Sequence, residues 1–207
     1  MVAGRAAART LRRRMGIYER IAELPLAVER YELEGLSRRW SPEFERRTTI
    51  FHLHGGGHEG LGEDVGYVPD DHAAQQELGP VLPLAGTWTI DEFSRHLGEL
   101  DLFPAGAPNF DVYRRYRRWA IESAALDLAL RQAGINLPAA LGVEPRPISF
   151  VVSLRLGEPP STAPVENRIA RYPGVRFKLD ATPDWDDGLL ERLAATGSVA
   201  SIDFKGA

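Results

Sequence analysis

Four ionisable side chains near the end of the chain are the residues best placed to do chemistry. In Arg176-Phe177-Lys178-Leu179-Asp180, and again in Ser201-Ile202-Asp203-Phe204-Lys205, a lysine and an aspartate stand at i and i+2. Strand side chains alternate between faces, so Lys178 and Asp180 share one face, and so do Asp203 and Lys205. Charges on an otherwise apolar strand are costly to bury unless they are paired or coordinate something. These fall where each strand runs out into a loop, which is the pattern of an active site rather than a core.

The elements that must carry them follow from what lies between. Asp186 to Thr196 has leucines at helical spacing and acids in its first turn, and Gly197 supplies a left-handed stop. One repeat earlier, Ile148 to Leu154 is a β-branched run, followed by a short helical segment from Val165 to Arg171. Three strands joined by helical crossovers predict the start of a parallel sheet.

Ahead of them, residues from Ile17 to Tyr67 read as an antiparallel meander. Val28 to Gly35 alternates, Thr48 to His54 is a strand closed by Gly55-Gly56-Gly57, and Gly62 to Val65 begins the return. His52, His54 and His58 could hold zinc. The plainer expectation is that His52 and His54 take the polar face of the hairpin while Phe51 and Leu53 face the core. The glycines lack a following Gly-Lys-Ser/Thr, so a phosphate loop is not supported.

A short helix opens at Thr89, with Glu92 three residues on as a capping box. A longer one is expected from Phe110 to Ala133, capped by Asn109 and stopped by Gly134, with Ala120, Ala124 and Leu128 as a close-packing stripe. Arg114, Arg115, Arg117 and Arg118 crowd its first half, and a solvated, ion-paired surface is expected of them rather than a nucleic-acid contact.

Composition bounds the function. The chain has 207 residues, 43% hydrophobic and 26% charged, enough for one large domain or two small ones. Zero cysteines exclude a disulfide framework, a thiolate zinc site and a cysteine nucleophile, and agree with a cytoplasmic location. A formal charge of −4 argues against nucleic-acid binding, and no apolar run is long enough for a membrane span. The arginines of Met1 to Arg14 stand among alanines with no acid, and residues 1–15 are read as a flexible extension.

Three features together resemble the enolase superfamily, on its mandelate racemase and muconate-lactonising side. They are Gly60-Leu61-Gly62-Glu63, the segment Ala120 to Leu130 leading to Leu141-Gly142, and the charged strand ends. The resemblance implies an α+β capping domain over residues 16–145, followed over 146–207 by α/β structure, the first three βα units of a (β/α) barrel of TIM type, incomplete in this chain. It implies a Mg²⁺-dependent lyase or isomerase that removes a proton α to the carboxylate of a small acid, a homo-oligomer when complete. Asp203 would be the first metal ligand. Lys178 matches the first lysine of the family's Lys-x-Lys, and Asp180 stands where the second, usually the base, would be. Lys205 stands where the family often has Asn, as a base or a tether for a substrate carboxylate. An aspartate cannot inherit a lysine's role unchanged, because its charge and unperturbed pKa differ. Arg38, Arg39 and Trp40, expected in a loop after the first strand, and Tyr67, after the third, are candidates for substrate specificity.

A barrel needs about eight strands, so three imply part of a longer protein. Two other readings are a non-catalytic binding protein of the same fold and another barrel enzyme with a phosphorylated ligand.

Overall fold

The computed structural model describes residues 16–205. The chain divides into two compact units, with the boundary between Pro145 and Arg146. The arginine-rich stretch Met1 to Arg14 lies outside the described residues.

In the first unit, β1 (Pro25–Val28) is followed by the meander β2 (Arg30–Ser41), β3 (Phe44–Gly55) and β4 (His58–Asp64). The three meander strands pair antiparallel in that order. Alternation places Thr49, Phe51 and Leu53 of β3 inside, with His52 and His54 on the opposite, more polar face. Arg38, Arg39 and Trp40 belong to β2 itself rather than to a loop, because the hairpin continues pairing to Ser41 and Phe44. The register shifts between Arg39 and Ser41, leaving Trp40 without a partner across the ladder.

A helix that apolar periodicity does not predict, α1 (Pro69–Leu78), follows the meander. Its buried residues are His72 and Gln75, so its inward face is polar. Next come β5 (Gly86–Thr89), paired antiparallel with β1, and α2 (Ile90–Glu99). Thr89 and Glu92 form the expected capping box.

The long helix α3 (Val112–Gln132) is shorter at its start than expected. Asn109 does not cap it; its side-chain amide donates instead to Asp71 Oδ1 (2.8 Å). Gly134, at φ 65°, ends the helical course as its sequence position implies. The core-facing stripe Tyr113, Ala120, Ile121, Ala124 and Leu128 packs on β4, where Gly60 and Gly62 alternate with exposed residues. A Cβ on Gly62 would run into the Ala120 carbonyl, and one on Gly60 into the backbone of Ala124 and Leu128. Gly-x-Gly is therefore the strand's side of a backbone-to-backbone contact, and the small residues of α3 are the helix's side. At the far end of α3, Gln132 donates to the Ala27 and Gly55 carbonyls (2.8 and 3.1 Å) and accepts from the Ala27 amide (3.0 Å). The short helix α4 (Leu137–Leu141) closes the unit.

Arg117 corrects the expectation of a solvated arginine cluster. It lies on the same inward stripe and is 1% exposed. Its Nε donates to Asp64 Oδ2 (2.9 Å), its Nη1 to Gln75 Oε1 (2.9 Å) and the Leu102 carbonyl (3.0 Å), and its Nη2 to the Asp71 carbonyl (3.2 Å). The guanidinium carbon also stands 3.6 Å from the Phe103 ring centroid. Beside it, His72 Nδ1 is 3.0 Å from Thr49 Oγ1 and Nε2 is 3.0 Å from the Gly66 carbonyl. Gln76 Nε2 donates to Thr49 Oγ1 (2.8 Å) and to the Thr48 carbonyl (3.2 Å).

The second unit holds three parallel strands in the order β6 (Val152–Leu154), β7 (Phe177–Asp180), β8 (Val199–Asp203). Helix α5 (Ala163–Arg171) connects the first two strands and α6 (Asp187–Ala195) the second two. Asp186 caps α6, its carboxylate accepting from the Leu189 amide (2.6 Å). The core is Leu156, Val165, Phe177, Leu179, Leu189 and Leu193. Strand β6 is shorter than the apolar run before it, because pairing begins only at Val152 opposite Phe177. Phe150, expected within that strand, is 81% exposed.

Candidate functional site

Parallel pairing sets the charged strand ends side by side. Asp180 is opposite Asp203, and Arg155 follows directly on the Leu154–Leu179 pair, so the three lie abreast where the strands end. Alternation then puts Lys178 on the face of Asp180, whereas Lys205 lies beyond the end of β8, in the turn that follows it.

The four side chains anticipated from the sequence close into a ring of alternating charge. Lys178 Nζ is 2.7 Å from Asp180 Oδ1 and 2.6 Å from Asp203 Oδ2. Lys205 Nζ is 2.6 Å from the same Asp203 oxygen and 3.5 Å from Asp180 Oδ1. Asp203 Oδ1 accepts the Lys205 backbone amide (3.0 Å), a local turn that accompanies the left-handed backbone of Lys205 at φ 53°. That conformation is uncommon for a lysine, and it brings the side chain back onto the strand end.

Electrostatics follow from the geometry. Hydrogen bonds to Asp180 and then Asp203 hold the Lys178 ammonium well above the usual lysine range, against the effect of desolvation. Those from Lys178 and then Lys205 hold the Asp203 carboxyl well below the usual carboxylate range, and the bond from Lys178 lowers Asp180. With both lysines as ammoniums and both aspartates as carboxylates, the ring carries no net charge.

Beside the ring is a cleft of about 830 Å³, lined among others by Arg155, Asp180, Thr182, Asp184, Trp185 and Lys205. Arg155 was not anticipated from the sequence. The rule that found Lys178 and Asp203, a charge at the end of an apolar strand, applies to it equally, since it follows Leu154 directly.

Mg²⁺ would need hard oxygens with capacity to spare. Both Asp203 oxygens are already engaged, one by two ammoniums, and Asp180 Oδ1 is held by Lys178. Asp180 Oδ2 makes no hydrogen bond but faces Arg155 Nε at 3.7 Å. An ion here would displace two ammoniums and stand beside a guanidinium. Among the described residues no group of three metal-ligating side chains is placed to hold an ion. Held in this way by the two lysines, these carboxylates have no oxygens to spare for Mg²⁺. His52, His54 and His58 do not converge either. His52 binds Glu59 (2.8 Å) and Glu34 (3.1 Å) instead, and His58 is exposed.

The candidate specificity residues lie in the first unit and form two cation–π pairs rather than one cluster. Arg38 stands 4.4 Å from the ring centroid of Trp40, and Arg46 stands 4.3 Å from that of Tyr67. Arg39 is taken up by Glu45 (3.3 Å) and the Pro42 carbonyl (3.2 Å). Trp40 and Tyr67 remain mostly exposed, at 64% and 62%.

Two family models match, described as the N-terminal domain (residues 19–140) and the C-terminal domain (residues 144–207) of a domain of unknown function, DUF8230. The chain belongs to the DUF8230 family. No curated protein matches it. Solved structures similar to this DUF8230 chain are those of enolase superfamily members. An isomerase from Streptomyces coelicolor A3(2) is 19% identical with a TM-score of 0.62, over 86% of this chain and 52% of its own. An unknown member of the enolase superfamily from Enterococcus faecalis V583 is 18% identical with a TM-score of 0.59, over 86% and 52%. The muconate lactonizing enzyme from Pseudomonas putida is 20% identical with a TM-score of 0.56, over 84% and 51%. At such identities the likeness is one of fold. The DUF8230 chain spans about half the length of these structures. No helix among its described residues is long and apolar enough to cross a membrane.

Proposed function

We propose that this DUF8230 protein is an enzyme of the enolase-fold kind, part of a longer barrel protein, that moves the proton α to the carboxylate of a small acid. The observation that carries the reading is the ring of Lys178, Asp180, Asp203 and Lys205 beside a cleft at the ends of parallel strands, where folds of this kind place their chemistry. Proton removal leaves an enediolate, and a fixed positive charge lowers its cost. Lys178, doubly bonded to carboxylates, stays an ammonium and supplies that charge. Lys205, which lines the cleft and is the more exposed of the two lysines, gives its own proton to water, takes up the α proton as the neutral amine and returns it as the ammonium. Asp180 and Asp203 orient both. Arg38, Arg39, Trp40 and Tyr67 are the candidates for substrate selection. Mg²⁺ has no part in this reading, because the described carboxylates are committed to lysines.

The test is deuterium exchange by the full-length protein in D₂O with a panel of small 2-substituted carboxylic acids, followed by NMR. The wild type is expected to wash deuterium into the α position, and Lys205→Met to abolish exchange while keeping the wild-type melting curve. No exchange with any acid of the panel sinks the reading. A binding protein without turnover is the second reading, favoured by the mutual neutralisation of the ring. Saturable ligand binding without exchange would select it.

A further inference from the structure

Arg155 is the cation of this region that the ring leaves out. Its side chain is 83% exposed, it makes no hydrogen bond among the described residues, and its one ionic neighbour, Asp180, is 3.7 Å away, beyond hydrogen-bond range. It lines the cleft together with Lys205 and Trp185. Every other cation at these strand ends is within 2.7 Å of a carboxylate oxygen.

We propose that Arg155 anchors an anionic group of the ligand, a carboxylate or a phosphate, directly and without a divalent cation between them. The guanidinium offers five donors in a planar fork that matches two oxygens of either group. The ring meets the approaching anion with no net charge, and Lys178 keeps both aspartates partnered when the cleft fills. Glu158 and Asp184 also line the cleft. Neither forms an ion pair within 4.0 Å of a described cation, and both are solvent-exposed, so water and salt screen their repulsion of an incoming anion. The inference rests on the reading of this cleft as the ligand-binding mouth, but not on proton exchange taking place there. It departs from the resemblance, which would put a metal ion between protein and carboxylate.

Full-length protein, with EDTA present and at constant ionic strength, is titrated with acetate and, separately, with inorganic phosphate, and ¹⁵N-resolved shifts of Thr182 and the Trp185 indole are followed. Saturable binding of at least one probe is expected, weakened tenfold or more in Arg155→Gln and largely restored in Arg155→Lys. The tighter probe names the group. Because the side chain is exposed, both variants should keep the wild-type melting temperature. Equal affinity in Arg155→Gln, binding only when Mg²⁺ replaces EDTA, or no saturable binding of either probe each overturns the proposal. Intact anion binding with no α-proton exchange would leave it standing while removing the proposed reaction.

Discussion

Arg117 and Asp64 form an ion pair in the interior of the first unit, Nε to Oδ2 at 2.9 Å, with side chains 1% and 2% exposed. Burial pushes the Arg117 pKa down, and Asp64 counters it. Asp64 is engaged on both oxygens, since Oδ1 accepts the Gly66 amide at 3.1 Å.

Removing one partner strands the other. Asp64→Ala or Arg117→Met is expected to cost about 3–5 kcal/mol, far more than the loss of any surface pair. Urea unfolding reads this directly, and a loss below about 1 kcal/mol in both variants would show that the pair is solvated in solution.

Gly62→Ala is expected to destabilise by about 1–3 kcal/mol, because its Cβ has no room against the Ala120 carbonyl and the helix must move away. Leu61→Ala, one residue along on the outward face and 43% exposed, is the control and should change stability by no more than about 0.5 kcal/mol. Equal midpoints for the two variants would contradict the close approach of α3 and β4.

Burial pushes the His52 pKa down, but hydrogen bonds from the ring to Glu59 and Glu34 outweigh it, and the net direction is upward. A raised folded pKa means stability that is fully present below the unfolded value of about 6.5 and lost as pH rises through the folded one. His52→Gln should therefore fall further below the wild type at pH 5.5 than at pH 8.5. Melting curves at the two pH values check this, and a larger gap at pH 8.5 would mean that the ring is held neutral.

The strand-end ring makes a titration prediction. Asp203 is held below the usual carboxylate range first by Lys178, then by Lys205. In Lys178→Met the Asp203 carboxyl should titrate at higher pH than in the wild type, as read by carboxyl ¹³C shifts. No movement would mean that Lys205 alone sets it.

The legible parts of this fold were those whose apolar residues repeat. Leucines at 3.6-residue spacing announced α6, and the alternation around Phe51 and Leu53 announced β3 and its polar histidine face. Helix α1 was not legible, because what it buries is His72 and Gln75, which no hydrophobic pattern marks. Arg117 was hidden for a related reason. It occupies a core position between Tyr113 and Ala120, but three neighbouring arginines, at 114, 115 and 118, made it look like surface. In the candidate site, i and i+2 geometry accounts for Lys178 and Asp180 on one strand face, while Lys205 reaches Asp203 through a left-handed turn that strand alternation does not foresee. Nor could it show that the two strands' side chains would bind one another, since that depends on the β7–β8 register. Arg155 was missed although the run was ended correctly at Leu154, because the strand-end rule was applied only to the two later strands.

The contacts around His72 run in a single direction. The Thr48 carbonyl can only accept, which fixes the Gln76 amide with its nitrogen toward Thr48 and Thr49. Thr49 Oγ1 accepts from that nitrogen. The Gly66 carbonyl can likewise only accept, so His72 carries a hydrogen on Nε2, and Nδ1 takes the hydrogen of the Thr49 hydroxyl. Two main-chain oxygens, those of Thr48 and Gly66, thus set the direction of a buried chain of side-chain contacts from its two ends. Thr49→Ser would keep every link, whereas Thr49→Val would leave His72 Nδ1 without a donor.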